Sequence, residues 1–192
     1  GSEDLFRKRK ARAGAELQRQ KRERARNKRY LIVCEGTKTE PHYLRELLDD
    51  LGVRPQMVRI APNDGVSPDR VVAHALALYE EDAAAGDAYD SVYCVFDGDR
   101  HTTFEAAMHR IRDLNAAGKP FVAITSTPCF EVWPLLHFGY STQPFHPAGK
   151  KSVGDRVVAA LKAKPGFATY SKGQKGIYVQ LKDKLSDALT HA

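Results

Sequence analysis

The sequence contains no apolar run of the roughly 18 residues that a membrane-spanning helix needs. Its first thirty residues are rich in charge, which is not the pattern of a secretion signal. The three cysteines, Cys34, Cys94 and Cys129, are an odd number without C-x-x-C spacing. This excludes a closed disulfide framework, and we expect a cytoplasmic protein whose cysteines are small core residues.

The net charge of +6 is distributed unevenly along the chain. Residues 1–29 hold 12 Lys and Arg against 4 Asp and Glu, residues 30–149 hold 9 against 17, and residues 150–192 hold 9 against 3. An acidic centre between two basic segments suggests a cation site flanked by surfaces that attract polyanions. A solvated charged helix and a soluble tail would give the same distribution, so charge alone does not identify a nucleic-acid enzyme.

A length of 192 residues suits one domain with appendages. We expect residues 1–28 to form a basic helical arm, in which Gly1-Ser2 is a cloning remnant, because this segment has almost no large apolar side chain to dock. Residues 29–140 are predicted to be an α/β core. Residues 141–192 are predicted to be a helical C-terminal appendage that covers one edge of that core.

Short apolar runs alternate with amphipathic segments through the predicted core. The predicted strands are 30–34, 57–60, 91–96 and 121–125. Helices are expected after Thr39, after Ser67 and after Thr102 or Thr103 as N-caps, and a buried helix is expected from Phe130 to Phe138. Two more helices are expected at 153–163 and 177–188. Alternating strands and helices predict a parallel four-stranded sheet with helices on both faces.

Acidic residues follow two of the predicted strands directly. Glu35-Gly36 comes after the first strand, and Asp97-Gly98-Asp99 comes after the third. Ligands of open parallel sheets gather at the carboxyl ends of the strands, so three carboxylates converge if these strands are neighbours. Such a group is costly without a cation, and oxygen ligands favour Mg²⁺ or Mn²⁺. The arrangement is typical of phosphoryl-transfer sites.

The order strand, Glu-Gly, and later strand, Asp-x-Asp resembles the Toprim domain of topoisomerases, primases, small ribonucleases and OLD-type nucleases. More closely, the segments Arg29 to Pro41, Val95 to Asp99 and Pro128 to Trp133 resemble the RloB family of bacterial defence-associated proteins. The resemblance implies a Toprim fold, a role in antiviral defence and Mg²⁺ held by Asp97 and Asp99. It also implies that Glu35, a further candidate ligand, acts as general acid or base.

Two further residues are candidates near this edge. Glu131 lies among apolar neighbours after the fourth predicted strand, where it is either a fourth acidic metal ligand or half of a buried salt bridge with an arginine such as Arg100. Lys172 ends the run Tyr170-Ser171-Lys172, which resembles a Tyr-x-Lys element of the family. In that position it would stabilise charge on a scissile phosphate.

Four candidates for substrate binding lie in the loops beside the two acidic motifs. Lys38 and Thr39 either contact a phosphate or serve as ordinary loop and capping residues. Arg100 and His101 follow Asp99. His101 either binds substrate and transfers a proton or occupies a surface turn.

Three functions remain open from the sequence. The first is a metal-dependent nuclease that acts on RNA, including tRNA, in preference to duplex DNA. The second is a nucleotide-processing or nucleotidyl-transfer enzyme that uses the same carboxylates. The third is a non-catalytic nucleic-acid-binding or sensor module. The partners that we expect are nucleic acid and a partner protein or a second copy of the chain, and we expect no membrane association.

Overall fold

A computed structural model describes residues 28–63, 67–98, 102–142 and 144–192 of the protein. Almost all of the predicted basic arm, residues 1–28, lies outside the described residues. The same is true of Asp99, Arg100 and His101. Their predicted roles therefore stay predictions.

Four parallel strands form one sheet in the order β2-β1-β3-β4. They are β1 (Tyr30–Cys34), β2 (Val58–Pro62), β3 (Ser91–Asp97) and β4 (Phe121–Ser126). Helices flank this sheet, which confirms the predicted α/β class with a parallel four-stranded, Toprim-like sheet. The second strand begins one residue later than expected, because Met57 belongs to a 3-10 turn, Pro55–Met57.

Seven α-helices occur in the described part of the chain. They are α1 (Thr39–Asp50), α2 (Pro68–Ala84), α3 (Phe104–Ala116), α4 (Val132–Leu136), α5 (Val153–Lys162), α6 (Ile177–Leu181) and α7 (Leu185–His191). None of them is both long enough and apolar enough to cross a membrane.

Three helix predictions need correction. Thr39 is the first residue of α1 rather than its N-cap, and its hydroxyl oxygen instead accepts a hydrogen bond from the Gly173 amide. The helix expected from Phe130 begins only at Val132, which places Pro134 in the first turn, where its missing N–H costs no hydrogen bond. The helix expected over 177–188 is divided by a 3-10 turn, Lys182–Lys184, none of whose side chains is buried.

Two apolar clusters hold the described structure together. The first lies between the sheet and helices α2 and α3, and its largest members include Leu31, Val71, Phe96, Ile111 and Phe121. The second joins α1 to the C-terminal segment through Tyr43, Phe130, Leu161, Phe167, Tyr170, Ile177, Tyr178 and Leu181. Fully burying one such side chain stabilises the fold by about 1.5–3 kcal/mol, so the C-terminal segment is firmly packed on α1.

A polar contact between α1 and α6 generates a prediction about acid stability. Asp50 accepts hydrogen bonds from Lys182 Nζ (3.0 Å) and Tyr178 OH (2.9 Å), and these two contacts lower its pKa. A carboxyl with a lowered folded-state pKa stabilises the protein above its unfolded pKa, and this stabilisation is lost as pH falls through the folded value.

We therefore expect Asp50→Asn to lower the Tm at pH 7 by about 1–2 °C, since exposed ion pairs are weak. The difference from wild type should shrink below about pH 4, where an aspartate protonates in the unfolded chain. Thermal unfolding at both pH values measures this. Asp49→Asn, one residue away on the same helix and exposed, is the matched control. Equal shifts in the two variants would contradict the prediction.

Candidate active site

The two acidic motifs meet at the point where the order of strands reverses. The chain leaves β1 for β2 on one side and returns past β1 to form β3 on the other. This topological switch leaves a crevice at the carboxyl ends of β1 and β3, the usual ligand site of an open α/β sheet. Glu35 and Asp97 lie there because each ends or directly follows its strand.

Backbone amides hold both carboxylates in place. The Asp97 amide donates to Glu35 Oε2 at 2.9 Å, and the Phe130 amide donates to Asp97 Oδ1 at 2.9 Å. The Glu35 amide itself donates to the carbonyl of Val95, which extends the β1–β3 pairing by one residue. One oxygen of each carboxylate is therefore fixed by the fold.

Glu40 is a member of this acidic cluster that the sequence analysis missed. The residue is 8% exposed, and a Cβ on Gly36 would clash with Glu40 Oε2, so only glycine fits at position 36 without displacing this carboxylate. Burial raises the pKa of Glu40, backbone amides oppose this rise, and the charges of Glu131 and Glu35 add to it.

The signal for Glu40 was present but ambiguous. An acidic residue in the first turn of a helix is favourable with the helix dipole, which explains such a residue without any site. What distinguishes Glu40 is its place in the run Glu35-Gly36-Thr37-Lys38-Thr39-Glu40, where a glycine precedes it by four residues.

Asp97 has the most perturbed carboxyl group of the site. Burial and then the charges of Glu40, Glu35 and Glu131 raise its pKa to about 7, while Lys172 lowers it. A carboxylate in this setting is stabilised by any cation that enters the crevice.

Glu131 is paired with two residues of the C-terminal segment. Its side chain is 2% exposed, Tyr170 OH donates to Oε1 at 3.2 Å, and Lys172 Nζ lies 3.2 Å from Oε2. Burial is the largest single influence on Lys172 and lowers its pKa, but the charge and hydrogen bond of Glu131, together with the charge of Asp97, hold that pKa above its ordinary value. Both oxygens of Glu131 are thus in contact with these partners, and its role as a metal ligand stays a prediction.

The turn that carries Lys172 is fastened to the start of α1. Gly173 has φ +82°, in the left-handed region that glycine favours, and a Cβ there would lie 3.0 Å from Lys38 Cβ. Its amide donates to Thr39 Oγ1 at 2.8 Å, and its carbonyl oxygen lies 3.1 Å from His42 Nδ1. These contacts fix Lys172 beside the carboxylates.

The predicted residues surround a solvent-open cavity of about 310 Å³. Its lining consists of Glu35, Gly36, Thr37, Lys38, Thr39, Glu40, Asp97, Lys172 and Gly173. The structure thus brings together two predicted acids, two predicted phosphate contacts and the predicted lysine. Glu131 is not part of this lining and contacts Lys172 instead.

The donor set suits a hard divalent cation. The acidic side chains of the site offer carboxylate oxygens. Mg²⁺ is usually held by one or two carboxylates together with waters and substrate phosphates. Glu35 and Asp97 supply two such carboxylates to the lining of the cavity. Within the described ranges no three His, Cys, Asp or Glu side chains form a ready-made metal site. Asp99, the other predicted ligand, lies outside those ranges.

The crowding of carboxylates yields a stability prediction. The unfolded chain loses the Asp97 proton near a pKa of about 4, whereas the folded protein retains it to about 7. Between these values the folded state binds more protons, so the free energy of unfolding falls as pH rises. Asparagine does not titrate, so Asp97→Asn should avoid this fall in the free energy of unfolding.

In EDTA at pH 8 we expect Asp97→Asn to be more stable than wild type, by at most about 4 kcal/mol, with the difference disappearing near pH 4. Urea unfolding at the two pH values measures the effect. Asp113→Asn, an exposed aspartate of α3, serves as the control. Lower stability of Asp97→Asn at pH 8 would contradict the electrostatic account.

Comparison with known proteins identifies the family of this chain. The family model described as RloB-like protein matches residues 30–192, which include the acidic cluster and the turn that carries Lys172. No curated protein and no solved structure matches the chain. The protein therefore belongs to the RloB-like family, as the resemblance in its sequence implied.

Proposed function

We propose that this protein is a Mg²⁺- or Mn²⁺-dependent phosphodiesterase that cleaves nucleic acid, RNA in preference to duplex DNA. The observation that carries the proposal is the cavity at the strand switch, where Glu35, Glu40 and Asp97 meet Lys172. Carboxylates that hold a cation, next to a lysine, form the combination that phosphoryl transfer uses.

Each residue has a distinct task in this reaction. Asp97 would hold the metal together with waters and the substrate phosphate, and the metal would polarise that phosphate and stabilise developing negative charge. Glu35 accepts a proton from the attacking water as that water's oxygen bonds to phosphorus. The bond from phosphorus to the leaving sugar oxygen breaks, and this oxygen takes up a proton from solvent.

Lys172 stabilises charge on the scissile phosphate, because its ammonium group lines the cavity while Glu131 holds it in position. Lys38 adds a second positive charge to the same lining. Thr39 is oriented by the Gly173 amide, and its hydroxyl proton is left to donate to a phosphate oxygen.

RNA is the expected polymer because related defence Toprim proteins act in some cases on RNA, and a role in antiviral defence follows from the same resemblance. Three free, buried cysteines suit the reducing cytoplasm in which this reaction is proposed to occur.

The decisive test is cleavage by purified protein of single-stranded RNA, total tRNA and plasmid DNA with Mg²⁺ or Mn²⁺. We expect Glu35→Ala and Asp97→Asn to reduce the rate by about 10²–10⁴-fold, the usual contribution of such groups. Lys172→Met should cost about 10²-fold. Lys172→Arg, which keeps the charge beside Glu131, should cost less.

Asp113→Asn is the control for a lost carboxylate, and every variant is checked for folding by circular dichroism. Cleavage that persists in folded Asp97→Asn overturns the assignment of the site. If no folded protein cleaves any polymer, the nuclease proposal fails. Turnover of free nucleotides in the same reactions would then identify a nucleotide-processing enzyme.

Metal binding is tested separately from cleavage. Ligands that bind only the folded state raise its stability in proportion to RT ln(1 + [L]/Kd), about 2.7 kcal/mol at a hundredfold excess over Kd. We expect millimolar Mg²⁺ to raise the Tm of wild type by several degrees and that of Asp97→Asn by much less. Equal shifts in both proteins would show that the cation binds elsewhere.

A further inference from the structure

A second cavity, of about 430 Å³, lies between α4, α5 and the segment that joins them. We call it the basic groove. Its apolar floor includes Val132 and Leu135 of α4, and Phe145 of the joining segment contributes an aromatic ring. A volume of this size and an apolar floor are typical of ligand sites.

Positive charge dominates the lining of the basic groove. Lys151, Arg156 and Lys164 contribute to it, and among the described residues no carboxylate does. Two acids adjoin lining residues in the sequence, and both are engaged elsewhere. Asp155 caps the start of α5 by accepting hydrogen bonds from the Ser152 amide and hydroxyl, and Glu131 pairs with Lys172. Lys164 also lies 5.9 Å from the centre of the Phe138 ring. The charge of the groove therefore selects an anionic ligand.

The ligand that combines these properties is a nucleotide unit of a single strand. Its phosphates match the three cations, and its base has a flat apolar face that suits Phe145 and the floor. Sequence-tolerant single-strand sites pair a positive groove with aromatic side chains in this way. Duplexes fit poorly, because their bases are stacked and not free to contact an aromatic ring.

The basic groove lies next to the candidate active site. Val132, in its floor, directly follows Glu131, which contacts Lys172. The first turn of α5 also approaches the site, since a Cβ on Gly154 would lie 4.0 Å from Lys172 Nζ. Arg156, two residues further along this helix, lines the groove. The helix α5 thus borders both Lys172 and the basic groove.

We infer that the basic groove binds the single-stranded segment adjoining the cleaved phosphate, with a base against Phe145 and phosphates on Lys151, Arg156 and Lys164. This inference rests on the proposed function, because it takes nucleic acid as the substrate. It adds the requirement that the substrate be single-stranded. It also assigns binding to residues outside the carboxylate site.

The test measures binding without catalysis. Full-length Asp97→Asn protein in EDTA is titrated against a fluorescein-labelled 12-nucleotide single-stranded RNA, with fluorescence anisotropy as the readout at several salt concentrations. Lys151→Ala/Arg156→Ala should weaken binding at least tenfold. It should also reduce the slope of log K against log salt by about 1.4, since each single-strand phosphate contact contributes about 0.7.

The ring of Phe145 is tested with Phe145→Leu, which keeps an apolar side chain in the half-buried position. We expect a loss of about fivefold or more with no change in salt slope, because stacking releases no counterions. Lys162→Ala/Lys175→Ala removes two exposed charges outside the groove lining and should weaken binding threefold or less. A duplex RNA of equal length should bind at least tenfold more weakly than the single strand.

Three outcomes overturn the inference: no binding of the RNA, equal losses in the groove and control double variants, or equal affinity for duplex and single strand. Failure of the proposed function is distinguishable from these. Groove-dependent binding by a protein that never cleaves would support the groove and overturn the nuclease. Cleavage by wild type combined with groove-independent binding would overturn the groove alone.

Discussion

The hydrogen bond from the Asp97 amide to Glu35 Oε2 is the contact on which the arrangement of the site depends. It exists because β1 and β3 are parallel neighbours in the sheet, although 62 residues separate the two acids in sequence. The fold therefore uses backbone hydrogen bonding to hold like charges together. Mutual repulsion within the cluster is a cost that the two apolar cores offset.

Much of the fold follows from local sequence. The run Tyr30–Cys34 is continuous, apolar and bounded by charged residues, and it forms the strand that its pattern predicts. Helix ends were less predictable, because Thr39 has the chemistry of an N-cap but its hydroxyl oxygen is used by Gly173, 134 residues away. A local pattern contains no information about so distant a competitor.

The site residues also divide into those that local sequence predicts and those that depend on contacts with distant residues. Glu35 and Asp97 were identifiable because each comes at the end of an apolar strand. The partners of Glu131 were not, because Lys172 and Tyr170 come from beyond α5. The alternative partner that we considered, Arg100, lies outside the described residues. Glu40 was overlooked because its position in the first turn of a helix has an ordinary explanation. Its burial and its close approach to Gly36 are visible only in the folded structure.

Lys172 follows the last strand, β4, in the chain, and this order has a consequence for synthesis. A nascent polypeptide that has left the ribosome only as far as β4 can pair its strands and bring Glu35 and Asp97 together. It lacks the lysine and the tyrosine that contact Glu131, and the second apolar cluster is absent. The cavity thus takes its final form only after the segment beyond α5, which carries Lys172 and Tyr170, has been synthesised.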